Sequence, residues 1–276
     1  MEPFVHTDTT DALHLREWEE LCPDLVVGFS LRTSGFSEAP YASCNLGLHV
    51  GDDPAKVIEN RRSLANRLGF EFDAWSCADQ VHGNQISQIT KELRGRGREN
   101  HLEAIEGTDG IFTNETDILL TSFYADCVPL LFLDPDKRVI GLAHAGWKGT
   151  VGLIAEEMIK AFQHQFQTKP EHIRVAIGPS IGGCCYEVDE NVMQHVRQMI
   201  PNWQSCVTAS KGDRFMLDLR ACNTRVLERL GVLTEHITRT SWCTNCRTDL
   251  FFSHRKEAGK TGRMASFIGW RKKGED

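Results

Sequence analysis

The chain has 276 residues, 25% of them charged, a formal net charge of −7 and ten cysteines. That length allows one large domain or two small ones with a sizeable core; the acidic balance gives no electrostatic footprint for nucleic acid, and no apolar run approaches the roughly 18 residues of a membrane span. "MEPFVHTDTTDALHLREWEE" lacks a signal-peptide pattern and the cysteines are too sparse for a secreted disulfide framework, so a soluble, cytoplasmic chain with reduced thiols is expected, ending in a solvated basic tail, "GWRKKGED".

"DLVVGFSLRT" (24–33) reads as a strand. "DDPAKVIENRRSLANRLG" (52–69) reads as a helix, with Asp52 and Asp53 as N-cap candidates, Pro54 at its first position and Gly69 past its end. Val57, Ile58, Leu64, Ala65 and Leu68 form one apolar stripe at helical spacing, and Arg61 falls near its middle. A guanidinium cannot shed its proton, so an inward Arg61 calls for an anionic partner, either a carboxylate of the chain or a bound anion such as phosphate. "AWSCADQVHGNQISQIT" (74–90) continues with strand-like alternation and carries His82 beside Gly83, where the backbone can approach a ligand closely. "DGIFTN" and "ILLTSFYA" add two further strands.

The stretch 124–150, "YADCVPLLFLDPDKRVIGLAHAGWKGT", reads as a hairpin turning at Pro135-Asp136. If Asp134 faces Lys137, counting back along both arms places Cys127 opposite His144, with Cβ atoms roughly 4.5–5.5 Å apart on one face. Such a pair suits two ligands of one metal ion, or a thiol and its base; Pro129, which cannot donate to the ladder, could mark a bulge that shifts the register by one. Taken singly, Cys127 and His144 read more readily as a buried thiol and a hydrogen-bonded core histidine; their pairing shifts the balance toward a site. After His144 come a glycine turn and an apolar-periodic helix, with Thr150 as its N-cap, a layout that aims backbone N–H groups at whatever lies beside His144. His82, Cys127 and His144 together would complete a catalytic zinc set of three protein ligands and one open position.

"IRVAIGPSI" (173–181) reads as a strand, and "DENVMQHVRQMI" (189–200) and "DLRACNTRVLERLG" (218–231) as helices. Strands that are apolar on both faces must be covered on both sides, which makes a layered α/β sandwich the natural class. Cys243 and Cys246 form a CxxC, but a zinc knuckle needs a second pair, and the adjacent Cys184 and Cys185 are poorly spaced for that; buried thiols are expected.

"NLGLHVGDDPAKVIENRR", "QVHGNQI", "TDGIFTN", "ADCVPLLFLDP", "GLAHAGWKGT", "AIGPSIGGCCYEV" and "FFSHRKEAGKTGRMASFIGW" occur in this order, and with them the chain from about Phe29 onward resembles the YfiH/YlmD family, also called the laccase-domain or polyphenol oxidase family. The resemblance implies a single α/β domain over residues 1–276, an α/β/β/α sandwich with mixed sheets whose motifs lie roughly within 29–270. It implies a zinc site on His82, Cys127 and His144, and purine nucleoside phosphorylase activity on adenosine, inosine and methylthioadenosine, with adenosine deaminase activity beside it. One departure is His254, where many relatives carry tyrosine.

Copper, the metal of the older multicopper-oxidase label, is the alternative cofactor. Oxygen reduction, however, needs about ten ligands, largely in His-x-His pairs, and the chain has no His-x-His. A cysteine hydrolase built on Cys127 and His144 would leave His82 without a role, and a noncatalytic metal-binding module suits an open-sided site less well. On the phosphorylase reading, phosphate is expected near Arg61, Lys148 and the Gly149-Thr150 amides, with Asn45, Asn84 and Asp109 as further polar contacts or supports of the metal ligands. The expected partners are small molecules, a purine nucleoside and phosphate.

Overall fold

In the computed structural model, residues 2–272 are described. Strands β1 (Phe4–Thr7), β2 (Ala12–Leu15), β3 (Leu25–Ser30), β15 (Met264–Trp270), β7 (Leu119–Tyr124) and β4 (Trp75–Cys77) form one sheet in that order. Strands β14 (Ile237–Arg239), β10 (Arg174–Ile177), β8 (Val128–Asp134), β9 (Val139–Ala145), β6 (Gly110–Thr113) and β5 (Ile86–Gln88) form a second. Both are mixed, with parallel pairs at their edges: β4 with β7, β5 with β6 and β10 with β14. A small third sheet joins β11 (Glu187–Val188), β13 (Arg214–Leu217) and β12 (Val207–Lys211). The helices are α1 (Arg16–Leu21), α2 (Pro54–Arg67), α3 (Trp147–Val151), α4 (Ile154–Phe166), α5 (Glu190–Met199) and α6 (Leu219–Arg229).

Alternation along β8 explains the layering. Leu131 and Leu133 point into the inter-sheet core with Leu120, Ile268 and Phe29 of the first sheet. Leu130 and Phe132 point the other way, onto Met158 and Phe162 of α4 and Val226 and Leu227 of α6. The first sheet is covered on its outer face by Leu64, Ala65 and Leu68 of the α2 segment, against Val26, Leu119 and Phe267. Each fully buried side chain of this size contributes about 1.5–3 kcal/mol by leaving water, and the result is the α/β/β/α sandwich expected. The start of α2 follows its sequence signals: Asp53 accepts from Ala55 N at 2.9 Å, Pro54 opens the helix, and Gly69 takes φ +79° beyond its end. Asp52 instead accepts from Asn45 Nδ2 at 2.9 Å.

Several expectations are corrected. The hairpin pairs Asp134 with Val139 and Pro129 with His144, without a bulge. Asp134 causes the difference: its Oδ1 accepts from both Asp136 N and Lys137 N at 3.0 Å, and Arg138 turns through φ +54°, making a four-residue loop instead of a two-residue one. Segment 74–90 is two short strands, β4 and β5, with His82 on the loop between them. Thr150 is not an N-cap but lies inside α3, its hydroxyl donating to Ala145 O. Gly269 and Trp270 of the proposed tail are buried in β15, and the tail beyond Lys272 lies outside the described residues. No helix among the described residues is long and apolar enough to cross a membrane.

Candidate active site

Two crossings between the sheets build the site. The chain passes from β4 in the first sheet to β5 in the second through residues 78–85, which carry His82, and from β7 to β8 through residues 125–127, which end in Cys127. His144 is the penultimate residue of β9. One ligand atom from each of His82, Cys127 and His144 lies within 4.8 Å of the others, and the two imidazole centroids are 4.7 Å apart. Because the register differs from expectation by two residues and side chains alternate with period two, Cys127 still shares a face with His144, as a diagonal neighbour.

Backbone conformation on both crossings is unusual and firmly held. His82 has φ +62°, in the left-handed region that side chains rarely adopt. The Asp109 carboxylate fixes it by accepting from three consecutive amides, Val81 N (3.1 Å), His82 N (3.0 Å) and Gly83 N (2.7 Å). Asp109 Oδ1 also lies 2.9 Å from His144 Nδ1, which leaves Nε2 of His144 as the nitrogen available to the triad. On the other crossing Asp126 has φ +85°, and its carboxylate accepts from Thr244 Oγ1 (2.6 Å), Ser253 Oγ (3.0 Å) and Arg255 N (2.7 Å). Gly146 completes the arrangement, since a Cβ there would stand 2.9 Å from Cys127 Sγ.

Charge follows from this packing. Burial alone would push the Cys127 thiol up, but the positive charge and hydrogen bond of His144, with a further hydrogen bond from His82, bring it down to about 6. Burial would likewise depress His144, yet the Cys127 thiolate and the Asp109 hydrogen bond raise it to about 9. Between those limits a thiolate faces an imidazolium. Asp109 stays below its ordinary value despite burial, held there by His144 and the amides of Gly83 and His82.

The triad opens into a cavity of about 370 Å³ that is also lined by His49, Phe123, Tyr186, His254, Arg255 and Arg263. Arg263 Nη1 donates to Thr261 O and Gly262 O, and Arg255 Nη1 to Glu187 O, with its guanidinium 5.1 Å from the Tyr186 ring centre. Among the described residues neither guanidinium forms an ion pair with a carboxylate. Burial and the Arg263 charge depress His49 to about 4, so it is neutral at pH 7. Gln80, also on the wall, is engaged at both ends of its amide by the backbone of Phe123.

Of the other residues expected at the site, only Asp109 touches the triad. Arg61 is buried, and among the described residues no carboxylate pairs with it: it donates to Leu46 O, Gly97 O and Arg98 O and packs 4.6 Å from the ring centre of the cavity residue Phe123. Carbonyl dipoles and an aromatic face serve in place of the expected anion. Lys148 is exposed beside Trp147, and Thr150 N is bonded to Gly146 O. Asn84 donates to Gly152 O, and Asn45 accepts from Gly47 N and Arg263 N, bracing the loop that carries Arg263. His49, Tyr186, His254, Arg255 and Arg263 were missed. All lie in the motif blocks that carry the family resemblance, but no periodicity links residues so distant in sequence. The expectation of buried thiols also fails, because Cys184 and Cys246 are exposed.

A family described as multi-copper polyphenol oxidoreductase laccase matches residues 26–271. A relative from Geobacillus stearothermophilus, named purine nucleoside phosphorylase YlmD, is 44% identical over 251 residues, covering 89% of this chain and 90% of its own. One of the same name from Bacillus subtilis is 40% identical and covers 97% of both. The crystal structure of YlmD from Geobacillus stearothermophilus superposes with TM-score 0.93 at 40% identity, over 99% of this chain and 100% of that one. That of Bacillus licheniformis YfiH superposes with TM-score 0.94 at 38% identity, over 98% and 100%.

In metal-stripped protein, alkylation of Cys127, followed by mass spectrometry of its peptide, is expected to accelerate as pH rises through about 6, because the reactive thiolate forms there. A midpoint near 9, that of an ordinary thiol, would contradict the thiolate–imidazolium pair.

Proposed function

The chain belongs to the YfiH/YlmD laccase-domain family, and from that membership we propose that it is a zinc-dependent purine nucleoside phosphorylase. Its substrates on this reading are adenosine, inosine and methylthioadenosine, cleaved by phosphate to the free base and the ribose 1-phosphate, with adenosine deaminase as a side activity. The observation that supports it most is the conjunction in one cavity of the His82–Cys127–His144 triad and two arginines that, among the described residues, form no ion pair with a carboxylate.

Two imidazoles and one thiolate suit zinc, and the Asp109 contact to His144 is the support such ligands usually have. They do not fit a multicopper centre, which needs about ten ligands, largely histidines. Among the described residues only one other group, four cysteines with no histidine, could hold a metal. When bound, zinc supplies a Lewis-acidic position open to a substrate oxygen or a water, the chemistry that deamination also requires.

The chain's own residues account for binding and orientation. Phosphate is assigned to Arg255 and Arg263, replacing the Arg61 and Lys148 placement, because a guanidinium forks two N–H donors toward an oxyanion and these two line the cavity. Phe123 and Tyr186 offer apolar faces to the purine. His254 makes no side-chain hydrogen bond among the described residues and is free to bond the base, as a tyrosine hydroxyl could in relatives. As the C1′–N9 bond breaks, positive charge grows on the sugar; the phosphate held by the arginines lies against it and supplies the attacking oxygen.

With inosine, hypoxanthine is expected only when phosphate is present, alongside ribose 1-phosphate. Base release in phosphate-free buffer would make the protein a hydrolase, and oxygen uptake with phenols but no nucleoside cleavage would make it an oxidase. Arg255→Met is expected to raise the KM for phosphate about tenfold or more while the KM for inosine changes little, from the loss of a charged hydrogen bond of about 1.5–3 kcal/mol. An unchanged phosphate KM would remove Arg255 from the anion site.

A further inference from the structure

Cys184, Cys185, Cys243 and Cys246 take no part in the cavity, yet the fold gathers them from two loops far apart in sequence. Their sulfur atoms all lie within 4.8 Å of one another. Cys246 Sγ is 3.7 Å from Cys184 Sγ and 3.4 Å from Cys185 Sγ. A tetrahedral zinc with Zn–S bonds of about 2.3 Å would set its sulfurs about 3.8 Å apart, whereas a disulfide needs about 2.05 Å. We propose that these four cysteines form a second metal site, a closed tetrathiolate that holds a structural zinc ion and pins together the two loops walling the cavity.

The backbone around the thiols supports this. Adjacent cysteines in an extended strand would point to opposite sides, but residues 182–186 form a tight turn, with Cys185 N and Tyr186 N both bonded to Gly182 O at 2.9 and 3.0 Å. The turn brings both sulfurs to Cys246. Gly182 N donates to Cys243 Sγ at 3.2 Å, an amide contact that favours the thiolate a metal requires. The space beside that glycine is tight: a Cβ would stand 2.8 Å from Arg220 Nη2 and 3.2 Å from Cys184 Sγ, so either would have to shift. The second loop is closed by Arg247 N bonding Cys243 O at 3.1 Å, and the two loops are joined by a bridge between Ser180 and Cys243 and by Thr244 N donating to Ser180 O. A divalent ion on four thiolates carries two excess negative charges; the buried Arg220 guanidinium lies beside Gly182 of the first loop and is itself held by Asp218 Oδ1 at 3.5 Å.

All four positions are taken by protein, so the ion is structural rather than catalytic, and the thiols release their protons to solvent as it binds. Its reach extends to the cavity. The first loop continues into Ile181 and Tyr186, and the second leads to His254 and Arg255, all lining residues. Pinning the loops fixes both sides of the proposed substrate site.

Native mass spectrometry of the whole chain, purified with zinc present, is expected to count two ions, one per cluster. Cys184→Ser/Cys246→Ser, changed at exposed positions, is expected to keep one and melt at lower temperature. Cys127→Ser is expected to keep the other, so failure of the triad reading is distinguished from failure of this one. Cobalt titration removes dependence on the folding of the double variant: a tetrathiolate site gives intense sulfur-to-cobalt charge transfer with the visible bands of tetrahedral cobalt, seen in the unaltered chain and retained in Cys127→Ser, where the triad has lost its thiolate. Equal metal content in the unaltered chain and the double variant, absence of those bands in Cys127→Ser, or a mass two hydrogens short with no ion at this cluster would each overturn the proposal.

Discussion

One buried carboxylate organises the site. Asp109 accepts hydrogen bonds from the amides of Val81, His82 and Gly83 and contacts His144 Nδ1, so it sets the backbone of one triad member and the ring orientation of another. Burying an unpaired carboxylate costs several kcal/mol. Charge-assisted hydrogen bonds of about 1.5–3 kcal/mol each offset that cost only if all of them form together, so the loop carrying His82 and the end of β9 are locked to one geometry. Asp126 does comparable work across the cavity, where it receives Thr244, Ser253 and the Arg255 amide beside Cys127. Two carboxylates, neither within ion-pair distance of a lysine or arginine side chain among the described residues, thus hold the strained backbone on both sheet crossings.

The sandwich itself supplies the rest. Strands with two apolar faces cannot end in solvent without covering layers, and covering them makes the chain cross repeatedly from one sheet to the other. Crossings cannot be regular strands, which is why unusual backbone and chemically active side chains coincide at this end of the molecule. Arg61 belongs to this scaffold: it ties α2 to the carbonyls of residues 46, 97 and 98 and packs against Phe123.

Much of this was legible in the sequence, for reasons that also explain the rest. The layers followed from apolar residues at successive positions in 128–133 and 139–145, and α2 followed from Asp53, Pro54 and Gly69. The hairpin register was not legible, because Asp134 lengthens the turn through its own side chain. Cys127 and His144 shared a face regardless, since the error was an even number of residues. His82 was singled out, but its loop was taken for strand because Gln80–Ile86 alternates in polarity much as a half-buried strand does. Helical spacing turns Arg61 inward, as the structure has it, but its carbonyl partners at Leu46, Gly97 and Arg98 come from distant loops and leave no local pattern. The cavity arginines and the four-cysteine cluster depend on long-range contacts that only the folded chain displays.

Diffraction from crystals of the chain purified without added metal, recorded on both sides of the zinc absorption edge, bears most directly on the triad as a metal centre. An anomalous peak is expected within bonding distance of His82, Cys127 Sγ and His144 Nε2, present above the zinc edge and lost below it. Density there that persists below the zinc edge and vanishes below the copper edge, or three ligands with no peak between them, would contradict a zinc centre at this site.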